Sequence, residues 1–394
     1  MRVLLLNAGS SSLKCTLIES DGSRIVGSAS ADWAGPVTHY TCARSTGERA
    51  SEPVEWRGHT EAVRRALDDL VPTPRGARTA PVAAVGHRVV HGGEFTSSVR
   101  VAPEVRSRIS ALAELAPLHN PPGLAVLAAA EAELPDVPHV AVFDTAFHAS
   151  LPPAARTYAV PEVWIRDWGI RRYGFHGLSH AYCTGRAAEL LARRAEELRL
   201  VICHLGHGCS AAAVLHGRSI DTTMGFTPLD GLPMATRCGS LDPSIVLHVQ
   251  LHHGLTAKDV ELALNHESGL LGVSGTSGDM REVLASARAG DERAQLAFDV
   301  YTHRVRQAIG ALAATLGGID ALVFTAGVGE NSAEVRAASC RGLECLGLEL
   351  DAEANARAHP DVDVARSGSP ARILVIATRE DLTMLREVMR VIAS

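Results

Sequence analysis

Residues 7–14, Asn7-Ala8-Gly9-Ser10-Ser11-Ser12-Leu13-Lys14, combine the parts of an anion holder. Glycine lets the backbone turn tightly and approach a phosphate, an amide and three hydroxyls offer hydrogen bonds, and Lys14 adds a cation. Of 38 basic residues only Lys14 and Lys258 are lysines, so a chain that otherwise writes its cations as arginine keeps a lysine here. The same turn also suits an ordinary hairpin. Arg88 stands in Gly86-His87-Arg88-Val89-Val90-His91-Gly92-Gly93, where a buried strand is expected. An unpaired buried charge is costly, so Arg88 requires an anionic partner, either a structural carboxylate or a ligand. Asp144 follows the apolar run ending at Phe143, His176 lies between glycines in Tyr173-Gly174-Phe175-His176-Gly177, and Arg237 lies in the loop from Pro228 to Gly239. Two arginines, an aspartate and a histidine form a candidate anion clamp. His248 and His252 have helical spacing with His253 adjacent, yet no Glu or Cys completes a zinc pattern, and His87 and His91 read as packing or hydrogen-bonding groups. Mg²⁺ needs only one or two carboxylates beside phosphate oxygens and water, which makes Glu380 a candidate; the same residue would also serve as a helix-start carboxylate.

The elements that must position these groups alternate in the manner of an α/β protein. Helices are predicted over 60–70, 103–115, 122–133, 179–198, 243–251 and 291–316, and buried strands over 82–86, 137–143, 198–204, 321–325 and 373–377. Most of these strands run into Gly, Asp or Thr, and ligands of open α/β sheets collect beyond strand ends. The Pro-rich tract 72–81 and residues 150–153 read as loops or boundaries. A weak duplication relates residues 4–12 to 201–210, each a strand, a Gly/Ser turn and a returning strand. A third glycine turn, Thr325-Ala326-Gly327-Val328-Gly329-Glu330-Asn331-Ser332, follows a strand and precedes a helical stretch, which suits the phosphate or ribose of a nucleotide; it lacks the P-loop spacing.

With 394 residues and 46% hydrophobic content, two domains are expected. A net charge of −6 gives no basic field for nucleic acid, so none is expected as a partner. No long uncharged apolar run suggests a membrane span or signal peptide, and eight cysteines without a Cys-x-x-Cys pair read as free thiols of a cytoplasmic protein.

In order along the chain, residues 7–14 and 86–93, Leu118-His119-Asn120-Pro121-Pro122, residues 143–148, 172–177 with His180, 228–239 and 327–331 resemble the acetate kinase family over its whole length. The resemblance implies an α/β fold of two RNase H-like (actin-like ATPase) domains flanking an active-site cleft, one over 1–150 with a C-terminal helix at 381–394 packing back on it, the other over 151–380. It implies a homodimer, and reversible transfer of the ATP γ-phosphoryl group to a small carboxylate, with Mg²⁺, or Mn²⁺ in its place, as cofactor and ATP/ADP as co-substrate. By the same resemblance Asn7 and Glu380 belong to the metal environment, and Ser10, Ser12 and Lys14 to the first phosphate loop. Arg88 and Arg237 would bind the carboxylate and the moving phosphoryl group; Asp144 is a catalytic position and His176 a transition-state stabiliser. His119 and His204 fall on active-site positions. Val90, Leu118, Phe175 and Pro228 match the pocket for the acyl tail. His204, Gly206, His207 and Gly208 match the second phosphate loop, and Asp279, Met280, Arg281, Gly327, Val328, Gly329, Glu330 and Asn331 match the adenosine side. The chain departs from the family pattern at His207, Cys209, Ala235, Cys238, Ser240, Gly278 and Arg379, which touches the phosphate side most; His207 is expected to titrate near neutrality.

The set is chemically coherent. A carboxylate nucleophile, with a pKa of about 4–5, is already ionised at neutral pH and needs no general base. Asp144 is therefore expected to orient its neighbours or the water shell of a metal. The remaining task is to bring an anion against a polyanion and stabilise the charge of an in-line transition state. Three readings stay open: an acetate kinase; a propionate or butyrate kinase or a pyrophosphate-linked variant; and a non-catalytic nucleotide-binding regulator. On the first, the product would pass to or come from a phosphotransacetylase or phosphoketolase.

Overall fold

The computed structural model describes residues 1–71, 82–117 and 119–394. The predicted loop over 72–81 lies outside them. The chain divides into two compact units, Met1–Phe147 with Arg379–Ser394, and His148–Thr378.

In the first unit, β1 (Arg2–Ala8), β2 (Ser12–Glu19), β3 (Ile25–Asp32), β4 (Thr38–Arg44) and β5 (Arg49–Val54) form an antiparallel meander. On the other side of β1 run β6 (Ala84–Val89) and β8 (His139–Phe143), both parallel to it, with the short β7 (Val99–Arg100) outermost, so the sheet order is β5-β4-β3-β2-β1-β6-β8-β7. Strands β6 and β8 are buried along nearly their whole length because helices cover both faces. The helices His59–Leu70 and Asn120–Glu133 cover one face through Val63, Leu67, Val126 and Ala130, which join Leu4, Leu6 and Leu17 in one core. The C-terminal helix Glu380–Ala393 covers the other. There Gly86 is required by its neighbours: a Cβ would stand 2.6 Å from Val388 Cγ2 and 2.9 Å from Leu5 Cδ2.

The second unit repeats the plan. An antiparallel triplet, β9 (Arg199–Leu205), β10 (Cys209–Leu215) and β11 (Arg218–Thr222), is extended from β9 by the parallel β12 (Ala321–Thr325) and β14 (Arg372–Val375), with β13 (Val362–Asp363) at the edge. The order β11-β10-β9-β12-β14-β13 matches β3-β2-β1-β6-β8-β7 strand for strand, so the duplicated turns 4–12 and 201–210 occupy equivalent places.

Several predicted bounds move. The helix expected over 179–198 starts at Gly177 and ends at Leu190, because Ala192 turns left-handed (φ 50°) and the chain closes through Arg193 N–H to Ala188 O before a 3₁₀ turn at Ala195–Glu197. The helix predicted to 115 stops at Ala111 and continues as a 3₁₀ turn, Leu112–Glu114. The glycine turn after β12 is itself a short helix, Ala326–Asn331, entered through a left-handed Ala326.

Candidate active site

Each unit carries its own cluster. In the first, parallel pairing of β1, β6 and β8 sets their C-terminal ends side by side. Asn7 lies at the end of β1, Arg88 near the end of β6, Asp144 directly after β8, and Glu380 opens the C-terminal helix. Arg88 donates from Nε to Asp144 Oδ1 (3.0 Å) and from Nη2 to Asp144 Oδ2 (2.6 Å), a bidentate pair. Its Nη1 donates to Asn7 Oδ1 at 3.1 Å and lies 3.7 Å from Glu380 Oε2. Burial works against the guanidinium charge, but Asp144 and Glu380 outweigh it and raise the Arg88 pKa above the ordinary arginine value. The expected anionic partner of Arg88 is thus a carboxylate of the chain itself. Asp144 orients the guanidinium, and Nη1 faces two further oxygens.

The first phosphate loop closes through Gly9 N–H to Ser12 O at 2.8 Å, while His59 Nε2 meets the Gly9 carbonyl at 2.9 Å. A Cβ on Gly9 would stand 2.5 Å from Ser12 Oγ, so a side chain there would turn the Ser12 hydroxyl aside. Lys14 pairs opposite Asn7 across β1 and β2, so the two share a face; Lys14 and Ser10 are exposed. His119 precedes the helix Asn120–Glu133, and Val90 follows β6, half-buried. Leu118 lies outside the described residues. His91 exchanges backbone hydrogen bonds with the Asn120 amide, and His87 bonds His139 at 2.9 Å, so both are structural.

The second cluster is built where the helix Gly177–Leu190 meets β9 and β10. His176 holds the turn before that helix with φ 57°, a left-handed conformation costly for a side-chain-bearing residue. Its ring stacks on His204 with centroids 4.1 Å apart. Gly208, in the β9–β10 turn, brings backbone against both catalytic candidates: a Cβ there would lie 3.5 Å from Arg237 Nη1 and 3.5 Å from His176 Nε2. Arg237 donates to Pro228 O at 3.2 Å and lies 3.6 Å from Met234 Sδ. Among the described residues it has no carboxylate partner, and burial lowers its pKa. Its loop is held by the helix Gly269–Ser274, with Ser268, Leu270 and Leu271 N–H groups bonding Thr236, Met234 and Ala235 carbonyls. Phe175 is buried, its carbonyl bonded to His148 Nε2 at 3.0 Å, and Pro228 is half-buried in the Arg237 loop.

A cavity of about 810 Å³ in the second unit, ample for a nucleoside, is lined by Gly206, His207, Asp279, Met280, Arg281, Gly327, Val328 and Asn331 among others. The structure thus gathers eight of the residues assigned to the nucleotide around one space. Asp279 caps the helix Met280–Arg288 and pairs with Arg281, whose guanidinium and backbone N–H hold its carboxyl down at about 2. Gly329 and Glu330 play other parts. Gly329 packs on Phe324, and Glu330 Oε1 accepts from Ala326 N–H and Thr378 N–H, both at 2.9 Å. His207 departs from expectation: burial, then the Arg237 guanidinium, push its pKa below the ordinary histidine value, which favours a neutral ring. The residues missed by sequence reasoning are hydroxyls beside the histidines, Ser179, Ser210 and Thr378. Ser210 could have been found as the residue facing His204 across the hairpin turn.

The acetokinase family model matches residues 2–386. The chain belongs to the acetokinase family. An acetate kinase of Nostoc sp. is 46% identical over 98% of both chains. The crystal structure of Porphyromonas gingivalis acetate kinase superposes with a TM-score of 0.90 at 36% identity, covering 99% of each chain. A propionate kinase from Francisella tularensis matches with a TM-score of 0.89 at 35% identity over the same share. Membership accounts for the repeated sheet order: each unit is an RNase H-like α/β domain of the actin-like fold expected from the sequence. No helix of the described residues is long and apolar enough to cross a membrane.

Proposed function

We propose that the chain is an acetate kinase that transfers the γ-phosphoryl group of ATP reversibly and in line to acetate, giving acetyl phosphate and ADP. The observation that carries this reading is the neighbourhood of Gly208. One glycine turn leaves only the space of a methyl group between itself and both His176 Nε2 and an arginine that has no carboxylate partner among the described residues, and its other residues line a nucleoside-sized cavity.

On this reading Arg237, partly buried and without a carboxylate partner among the described residues, receives the transferring phosphoryl group, and His176 Nε2 donates to the same oxygens as charge grows on them. Gly206, His207 and Gly208 supply backbone to the phosphates, and the cavity holds the nucleoside. Arg88, fixed by Asp144, binds the carboxylate of acetate, and Val90, Phe175 and Pro228 are the acyl-tail residues among those the structure describes. In the first unit Ser10, Ser12 and Lys14 make up a turn of phosphate-holding type. Asn7 Oδ1 and the Glu380 carboxylate are hard oxygens of the kind Mg²⁺ takes; with phosphate oxygens and water they would hold the ion, and it would supply charge neutralisation to the phosphates. No group need abstract a proton, because the acceptor is ionised.

On the same reading the enzyme works in the cytoplasm as a homodimer, and its acetyl phosphate is exchanged with a phosphotransacetylase or phosphoketolase. The helix Pro243–His253 supports the dimer: it buries none of its residues in the chain, and Leu247 and Leu251 are 58% and 77% exposed. The likeness to a propionate kinase keeps propionate as a second acceptor to be ranked.

The test is hydroxamate trapping of acyl phosphate from ATP, Mg²⁺ and acetate, propionate or butyrate. Acetate should give the highest kcat/KM, and Arg237→Ala should lower the rate at least about 100-fold, the loss expected for a transition-state charge stabiliser. ATP binding without acid-dependent product would overturn the reading.

A further inference from the structure

His176 and His204 can serve phosphate chemistry as donors only if the proton of each neutral ring sits on the nitrogen that faces the phosphate turns. The hydroxyls behind them decide where it sits. His204 on β9 and Ser210 on β10 stand directly opposite one another, so they share a face of the hairpin. His204 Nδ1 lies 2.8 Å from Ser179 Oγ. Ser179 Oγ in turn accepts the Thr378 hydroxyl proton at 2.9 Å. Thr378 is the donor in that bond, so among the described hydrogen bonds of Ser179 the acceptor for its own proton is His204 Nδ1, and the ring proton of His204 goes to Nε2. That nitrogen lies 3.8 Å from the place of a Cβ on Gly206, on the side of the glycine turn.

Ser210 solves the same problem for His176 with one proton shared between two rings. Its Oγ lies 3.0 Å from His176 Nδ1 and 2.9 Å from His180 Nε2. His180 is fully buried, and its Nδ1 has no hydrogen-bond partner among the described residues. A proton on that Nδ1 would be an orphaned N–H in the core, so the His180 proton belongs on Nε2, donated to Ser210. With His180 as a donor, the acceptor left for the Ser210 proton among its described hydrogen bonds is His176 Nδ1. Burial, with His148 and His204 nearby, pushes the His180 pKa well below the ordinary value, so this ring stays neutral.

We propose that Ser210 and Ser179, the latter directed by Thr378, are positioning residues that hold the stacked imidazoles of His176 and His204 as Nε2–H donors aimed at the two glycines of the second phosphate loop. The proposal rests on the kinase reading for its consequence, not for its geometry. Each serine acts through a histidine and touches no substrate. Thr378 also donates its backbone N–H to Glu330 Oε1, which accepts from Ala326 N–H as well, so the same chain of hydrogen bonds anchors the short helix that lines the nucleoside cavity.

The experiment is NMR of the full-length protein labelled with ¹⁵N-histidine, without nucleotide, with the two rings identified by the signals lost in His176→Gln and His204→Gln. Both rings should show a protonated Nε2 and a bare Nδ1. Ser210→Ala should mix the tautomers of His176 and leave His204 unchanged, and Ser179→Ala should do the converse. Thr378→Val should weaken the His204 preference, and Thr378→Ser should restore it. In the trapping assay Ser210→Ala should lower kcat about 10- to 100-fold with the ATP KM held, the scale of losing an orienting partner behind a working histidine. A protonated Nδ1 on either ring of the wild type, or tautomers indifferent to both alanine variants, would overturn the proposal. A wild-type chain with the expected tautomers but no acid-dependent product would sink the kinase reading and leave the tautomer assignment standing.

Discussion

Arg88 shows how neighbours can fix a single side chain in one orientation. A guanidinium that offers five donors in a rigid fork has here spent two on Asp144 and one on Asn7, which fixes its plane. Asp144 is 1% exposed and the Arg88 side chain 18%, so the pair sits where the loss of one partner is felt. Asp144→Asn keeps the shape, yet removes the charge that balances the guanidinium and places an amide against one of its N–H groups. Removing one partner of a buried pair costs about 3–5 kcal/mol, and the freed guanidinium loses its aim. We expect a clear drop in the urea midpoint together with a fall in kcat/KM for acetate of at least about 100-fold. Arg88→Lys should fail similarly in kinetics, because one ammonium cannot span both Asp144 oxygens and Asn7. Chemical melts and steady-state kinetics on the two variants check this; an Asp144→Asn protein with wild-type values of both would show that the pair orients nothing.

At the scale of elements, glycine turns divide into those the fold needs and those the chemistry needs. Gly269 has φ 62°, and a Cβ there would collide with the Met234 carbonyl oxygen and stand 2.7 Å from that of Arg237. Gly208 has ordinary φ, and its Cβ would meet Arg237 and His176 only at van der Waals distance. Gly269→Ala should therefore lower the Tm by several degrees, through strain at positive φ and displacement of the Arg237 loop. Gly208→Ala should melt like the wild type while its ATP KM rises about tenfold or more, since the methyl group occupies the space where backbone must approach phosphate. Thermal melts and ATP titrations separate the two. A Gly208→Ala protein that binds ATP normally would move the phosphate site elsewhere. The same division explains what could be read from sequence. The turns at Gly9, Gly206 and Gly327 were visible because glycine, serine and asparagine directly after apolar runs leave a local signature, and Arg88 was visible as a charge inside a strand. Strands β3 to β5 left a weak signature: their polar residues alternate on exposed faces, and β5 buries none of its side chains. The hydroxyls behind His176 and His204 were hidden for a different reason. Ser179 and Thr378 are 199 residues apart and meet only because β14 ends beside β9's helix partner.

Over the whole molecule, the histidines left outside the chemistry set how the protein meets acid. His87 is buried in the first unit with its pKa lowered to about 3 by burial and then by His139; in the second, burial lowers His148 to about 4 and His180 well below the ordinary value. In the unfolded chain each titrates near about 6.5. Below that pH the unfolded state binds protons that the folded state refuses. The stability these rings contribute is therefore complete above about pH 6.5 and drains away as the pH falls toward the folded values near 4 and 3. Carboxylates held down in the folded chain act lower: Asp279, near 2, begins to cost stability only as the pH passes below its ordinary value of 3.8. A loss of Tm between pH 6.5 and 4.5 thus reports on the histidines and not on the acids. Because His87 lies in one unit and His148 and His180 in the other, calorimetry should show the whole unfolding endotherm shifting, with no unit left behind at its neutral-pH Tm. His148→Gln, which keeps hydrogen-bonding capacity toward Ser219 Oγ and the Phe175 carbonyl, should flatten part of that slope while lowering the Tm at pH 7.5. A Tm that stays level down to pH 4.5 in the wild type would show that these rings take up protons in the folded state and that the buried cluster is open to water.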